Sequence, residues 1–149
     1  MYFVKYQIIV FIFYVYFSSS SYGQEYIIDY MGDLNKKEIV LEKSKFAIIE
    51  SFYKWKDSNG QYGNGFCYGN INTEDGNINL YNICESVDSE GEKFWTEVKR
   101  TTGGSRGIGT IKYIQANGKY KKYLNNNCKY AVAWFNKNSF LLKQICKFN

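Results

Sequence analysis

Apolar and polar positions alternate along most of the chain. In the C-terminal stretch Cys128, Tyr130, Val132, Trp134, Phe140, Leu142 and Cys146 share one face, and Lys129, Lys143 and Lys147 lie on the other. A period of two with one apolar and one charged face marks a half-buried strand. Comparable runs recur upstream. Lys36 to Lys43 is short and edge-like, Lys45 to Trp55 is longer, and Gln61 to Ile71 is rich in glycine. Asn77 to Cys84, Glu92 to Thr101, Gly109 to Gln115 and Lys119 to Leu124 complete the set, ahead of Cys128 to Phe135 and Ser139 to Phe148. Turn residues separate them, and no segment has a helical period. Short strands at this spacing predict an all-β fold, a single antiparallel up-and-down barrel of about eight strands. A two-sheet sandwich is the rival.

Turn chemistry fixes two registers. Asp75-Gly76 suits a two-residue type I′ hairpin that pairs Glu74 with Asn77. Seven steps back along each strand, Cys67 then faces Cys84. The loop Asn136-Lys-Asn138 pairs Phe135 with Ser139, and the same seven steps bring Cys128 opposite Cys146. An odd offset lands on the closer, non-hydrogen-bonded type of pair, where Cβ atoms reach disulfide distance. Two disulfides are therefore predicted, Cys67–Cys84 and Cys128–Cys146. The inner face of the first hairpin is open at this stage. One face carries Gly63, Gly65 and Gly69 with Ile78 and Leu80, the other Phe66, Tyr68, Tyr81 and Ile83. The glycines read as relief of strand curvature, or as a place where a ligand nears the backbone.

The N-terminus changes the picture from a fold to a compartment. Lys5 precedes an unbroken apolar run from Ile8 to Phe17, followed by four serines and Ser21-Tyr22-Gly23. This is the layout of a cleaved export signal over residues 1–23, leaving Gln24 as the new terminus. The apolar run falls short of the ~20 residues that span a bilayer, so no stable membrane anchor is expected. Cleavage leaves residues 24–149 as one domain and lowers the formal charge from +5 to +4 by removing Lys5. The expected location is secreted or periplasmic, where four cysteines read as disulfides. A four-cysteine zinc site would want a C-x-x-C pair, and there is none, so no metal is expected. Histidine is absent, which excludes a Ser-His-Asp or Cys-His nucleophile.

Few residues remain to carry chemistry. Phe52, Tyr68, Trp95, Tyr130 and Trp134 are the expected lining of a barrel cavity for a small apolar ligand. Glu50 shares its parity with Phe46, Ile48 and Phe52, and Glu97 with Trp95, which would make either an inward carboxylate of raised pKa and a general acid. The commoner outcome for each is a surface glutamate. Arg100 and Arg106 could hold an anion, or sit as rim charges. Lys112, Lys119, Lys121, Lys122 and Lys129 interleave with Tyr113, Tyr120, Tyr123 and Tyr130, a pattern that could grip a polyanionic glycan. Export argues against nucleic acid.

Two resemblances can be weighed. Thr102-Gly-Gly-Ser-Arg-Gly-Ile-Gly109 looks like the nucleotide loop of short-chain dehydrogenases, but a helix must follow that loop. Here Thr110 to Ala116 alternates and meets Asn117-Gly118, and only 40 residues follow Gly109, so the match is set aside and no cofactor is expected. Gly107-Ile-Gly109 with Ala116-Asn-Gly-Lys-Tyr-Lys121 is similar to a segment of allene-oxide-cyclase-like and dirigent-like (calycin-like) barrels. That resemblance covers about the last third of the chain. It implies an eight-stranded barrel, often a homo-oligomer, whose apolar cavity binds or steers a small hydrophobic molecule. The expected function is binding of such a ligand, or of a partner, without catalysis. A cofactor-free cyclase or isomerase using a buried glutamate is the alternative, and glycan binding through the Lys/Tyr face the third.

Overall fold

The computed structural model describes residues 25–103 and 107–148. The export segment, Gln24 and Arg106 lie outside them. Among the described residues the strands are β1 (Glu25–Val40), β2 (Ser44–Asp57), β3 (Tyr62–Glu74), β4 (Asn77–Asp88), β5 (Lys93–Gly103), β6 (Gly107–Ala116), β7 (Asn127–Trp134) and β8 (Ser139–Lys147). Each pairs antiparallel with its neighbour, and β8 returns to β1, so the sheet closes into an eight-stranded barrel. Closure leaves no edge strand, although β1 runs beyond Asp33, its last residue paired with β8, to Val40 in pairing with β2 alone.

Both disulfides are the ones the hairpin registers require. Asp75 and Gly76 adopt positive φ, Glu74 faces Asn77, and Cys67 faces Cys84 with Cα atoms 4.0 Å apart. Phe135 donates its amide to the Ser139 carbonyl, and Cys128 joins Cys146 at a Cα separation of 4.3 Å. Two intact disulfides place the folded chain in an oxidising environment. The cysteine face of the first hairpin points inward, and Gly65 shows why its glycines are there. A side chain at Gly65 would strike the Tyr53 ring, 2.6 Å from the would-be Cβ, and that ring reaches across to bond Ser86.

Two strand assignments change. The first strand begins at Glu25 rather than Lys36, and its inner positions are Tyr26, Ile28 and Tyr30. Lys119 to Leu124 is not a strand. Asn117 stays extended, its side chain accepts from the Lys93 amide at 2.6 Å, and Gly118–Tyr123 turns into a 3-10 helix across the barrel end. In a strand Tyr120 and Tyr123 would point to opposite faces. Their spacing of three suits a 3-10 turn, where both point the same way, and both are buried. β6 accordingly pairs with β7.

That helix helps to close one end of the barrel. Tyr26 stacks on Tyr123 at 4.3 Å, and Phe94 packs against Trp55 and Tyr120 at 5.3 and 4.8 Å. Two related loops brace the same end. In Asp57-Ser-Asn-Gly-Gln61 and Asp88-Ser-Glu-Gly-Glu92 the aspartate Oδ1 accepts amides two and four residues on, and the glycine takes positive φ. The remaining oxygen of each accepts a buried phenol at 2.9 Å, from Tyr26 on Asp57 and from Tyr120 on Asp88.

Asp88 gives this end an acid sensitivity. Burial pushes its carboxyl pKa up, but bonds from Lys119, Tyr120 and two amides outweigh that and hold it below the ordinary 3.8. A depressed folded pKa contributes stability that is present above the unfolded value and lost as pH falls through the folded one. The urea midpoint should therefore drop on acidification below about pH 4. Asp88→Asn should cost on the order of 1–3 kcal/mol at neutral pH and flatten the acid limb. An acid limb identical to the parent's would show that Asp88 plays no such part.

Candidate functional site

The other end of the barrel is open. The β2 inner face runs Ala47, Ile49, Ser51, Tyr53, Trp55, and only its last members reach the aromatic plug. Beyond the plug lies a cavity of about 300 Å³, continuous with solvent at the end that carries the β1–β2, β3–β4 and β7–β8 turns. Leu34, Ile71, Ile78, Val132 and Trp134 ring its upper part. Val98, Ile111, Phe140, Leu142 and the Cys67–Cys84 disulfide line the rest, with a few polar groups between them. Trp134 is 48% exposed and packs edge-on against Phe140, with ring centroids 5.8 Å apart.

The polar groups of the interior are mostly satisfied. Tyr30, which lines the cavity, donates to Gln144 Oε1 at 2.7 Å, and Gln144 Nε2 donates to the Tyr113 hydroxyl at 3.1 Å. Gln144 is wholly buried, so these bonds are what make an amide tolerable there. Tyr53 shares a 2.9 Å bond with Ser86. Asn82 is the exception. It lines the cavity, and its buried Oδ1, pressed against Gly69, has no hydrogen-bond partner among the described residues. Arg100 also lines the cavity and is only 8% exposed. Burial pushes the neighbouring Tyr130 phenol up to about 12, against the opposing pull of the Arg100 charge.

The residues expected at the site divide. Tyr130 and Trp134 line the cavity. Phe52 and Tyr68 do not. They are 54% and 51% exposed on the outer wall, where Phe52 faces Phe66 across the strands. Trp95 is outward as well, donating to Glu85 Oε2 at 2.9 Å. The reason is parity. The Phe52 side of β2 also carries Glu50, Lys54 and Lys56, so the charges decide which face is wet despite large apolar residues on both.

Neither candidate acid is inside. Glu50 is exposed on that outer face. Glu97 projects outward and bonds Lys99 at 2.8 Å; that bond holds its carboxyl below the ordinary value, opposite to the shift an interior acid needs. Among the described residues no carboxylate lines the cavity. Of the Lys/Tyr face, Tyr113, Tyr120, Tyr123 and Tyr130 are all buried, while Lys119 and Lys122 lie over the Tyr120 and Tyr123 rings at 5.6 and 5.0 Å.

Arg100, Asn82, Ser51, Tyr53 and Thr96 are among the lining residues that were not expected from the sequence or were set at the rim. The signal for Arg100 was its parity with Phe94, Thr96 and Val98. Asp88, Glu90 and Glu92 form the one acidic group among the described residues with metal-like spacing, and the Lys119 ammonium sits in it, 2.8 Å from Asp88 and 2.6 Å from Glu90. No protein-family model matches the chain, and no curated protein matches it.

Proposed function

We propose that this chain is a secreted or periplasmic binding protein that holds a small apolar molecule in the open end of its barrel. The observation that carries the reading is the cavity of about 300 Å³ with a largely hydrocarbon lining and an open mouth. Concave apolar sites with a few placed polar groups are what small-molecule binding uses, and this one lies at the lower end of the usual range of about 300–1,000 Å³. The disulfides support the export that residues 1–23 suggest. The similarity of Gly107 to Lys121 to allene-oxide-cyclase-like and dirigent-like barrels points to the same kind of ligand. Binding is favoured over cyclase-type catalysis because neither Glu50 nor Glu97 reaches the cavity.

A neutral fluorescent probe, N-phenyl-1-naphthylamine, tests the reading. It should bind with one-to-one stoichiometry and quench Trp134 at the mouth, and Trp134→Phe should remove most of that quenching. Val98→Trp, which projects an indole into the cavity, should weaken probe binding at least tenfold while the fold survives. Phe52→Ser on the outer wall should leave it unchanged. Equal loss in Phe52→Ser and Val98→Trp, or no binding by the parent, would refute the proposal.

A further inference from the structure

The polar groups of the cavity wall are not spread evenly. On β4 and β5 Asn82 faces Val98 and Leu80 faces Arg100, so an amide and a guanidinium stand on adjacent strands, two pairs apart along the ladder, both turned inward. On the other side of Arg100 lies Gly109, since Lys99 faces Thr110. Gly109 in turn faces Tyr130 on β7. A side chain at Gly109 would meet the Tyr130 ring 2.5 Å from its Cβ, so the glycine is what lets the phenol lie across β6 towards Arg100. The three groups lie on neighbouring strands of a wall whose lining is mostly apolar.

Their chemistry is one-sided. Among the described residues Arg100 is the one cationic side chain in the lining, and none of them brings a carboxylate there. Arg100 is held by an interaction within the protein, and it is the fixed placement of its charge that matters here. A guanidinium presents a planar fork that matches a carboxylate, and the charge-assisted bond is strongest where water is excluded. Tyr130 keeps its proton far above neutral pH and so offers a hydroxyl donor. Asn82 Oδ1 has no hydrogen-bond partner among the described residues, and the amide nitrogen beside it is a donor suited to a carboxylate.

We propose that the ligand is an amphiphile with one carboxylate, bound with the carboxylate at Arg100, Tyr130 and Asn82 and its apolar body against the hydrocarbon lining. This rests on the cavity being the binding site and adds the sign and place of the ligand's charge.

Decanoate and 1-decanol share a body and differ in the head group, and each can be titrated against bound N-phenyl-1-naphthylamine. The parent protein should bind decanoate about tenfold or more tightly than decanol, the return from one charge-assisted pair. Arg100→Gln should remove that preference and leave decanol and the neutral probe within about twofold, which also shows the variant to be folded. Arg100→Lys, which keeps the charge and loses the fork, should fall between. If decanol binds the parent as tightly as decanoate, or Arg100→Gln keeps the preference, the carboxylate assignment fails and the apolar cavity stands. If neither compound displaces the probe, this assignment is overturned. If the probe itself does not bind, the cavity reading falls with it. Should Arg100→Gln not fold, the comparison of decanoate with decanol on the parent decides alone.

Discussion

Above pH 10 the barrel should unfold steeply. Tyr26, Tyr30, Tyr53, Tyr113, Tyr120 and Tyr130 are all buried, and burial is the first cause that raises each phenol above its ordinary pKa of 10. Further causes act at individual sites. The Asp88 carboxylate beside Tyr120 disfavours a second negative charge, whereas Ser86 pulls slightly the other way on Tyr53. An unfolded chain ionises these groups near pH 10, while the folded one keeps its protons. The stability they represent is therefore intact below pH 10 and drains as pH rises towards the folded values. One proton is worth about 1.4 kcal/mol per pH unit, so six together approach 8 kcal/mol per unit. A single domain has about 5–15 kcal/mol to lose. Tyrosinate absorbance and circular dichroism, followed together, should change in one cooperative step within about two units above pH 10. Gradual ionisation of every tyrosine near pH 10 with the barrel intact would contradict the packing.

The same burial explains what the sequence could and could not disclose. Registers were legible wherever turn chemistry fixed them. Asp75-Gly76 and Asn136-Lys-Asn138 each set a pairing that propagates unchanged to a disulfide, because a period of two leaves no freedom once one pair is known. Faces were legible only where apolar residues kept to one side. On β8 lysines mark the wet face, but β2 carries Phe46, Ile48 and Phe52 outside and Ile49, Tyr53 and Trp55 inside. A hydrophobic count cannot choose between those two sides, and only Glu50, Lys54 and Lys56 break the tie.

The ends of the barrel were harder to read. Tyr120-Lys-Lys-Tyr123 continues a strand-like composition, yet its tyrosines are three apart and turn together over the core. The loops at Asp57 and Asp88 repeat the pattern Asp-Ser-x-Gly-x, which shows in the sequence as a repeat but shows its purpose only when Tyr26 and Tyr120 arrive from elsewhere in the chain. Ile114 adds a further break. It is the extra residue of a bulge opposite Trp95 and Thr96, so Ile114 and Gln115 both point outward and the simple alternation of β6 slips. The candidate site depended on this kind of information throughout. Arg100 is a rim charge by composition and a cavity charge by parity, and nothing short of a closed barrel shows what lies opposite it.

Removing both disulfides should cost about 6 kcal/mol, enough to leave the domain marginal. Each closes a loop of 17 or 18 residues, for which chain entropy lost from the unfolded state is worth about 3 kcal/mol. The two lie on opposite walls of the ring, one on β3–β4 and one on β7–β8, and share no partner, so their effects should add. They differ in what else they touch. Cys67–Cys84 forms part of the cavity wall, whereas Cys128–Cys146 is buried outside the lining, its Cys146 sulfur accepting from Gln144 Nε2 at 3.1 Å. Cys67→Ala with Cys84→Ala should therefore lower the urea midpoint and also loosen the hold on N-phenyl-1-naphthylamine. Cys128→Ala with Cys146→Ala should lower the midpoint by a similar amount and leave probe affinity within about twofold under native conditions. Probe binding lost equally in both pairs would mean that the barrel responds as one unit and the cavity wall has no independent part. A midpoint unchanged in either pair would show that the corresponding hairpin is held by its ladder and packing alone.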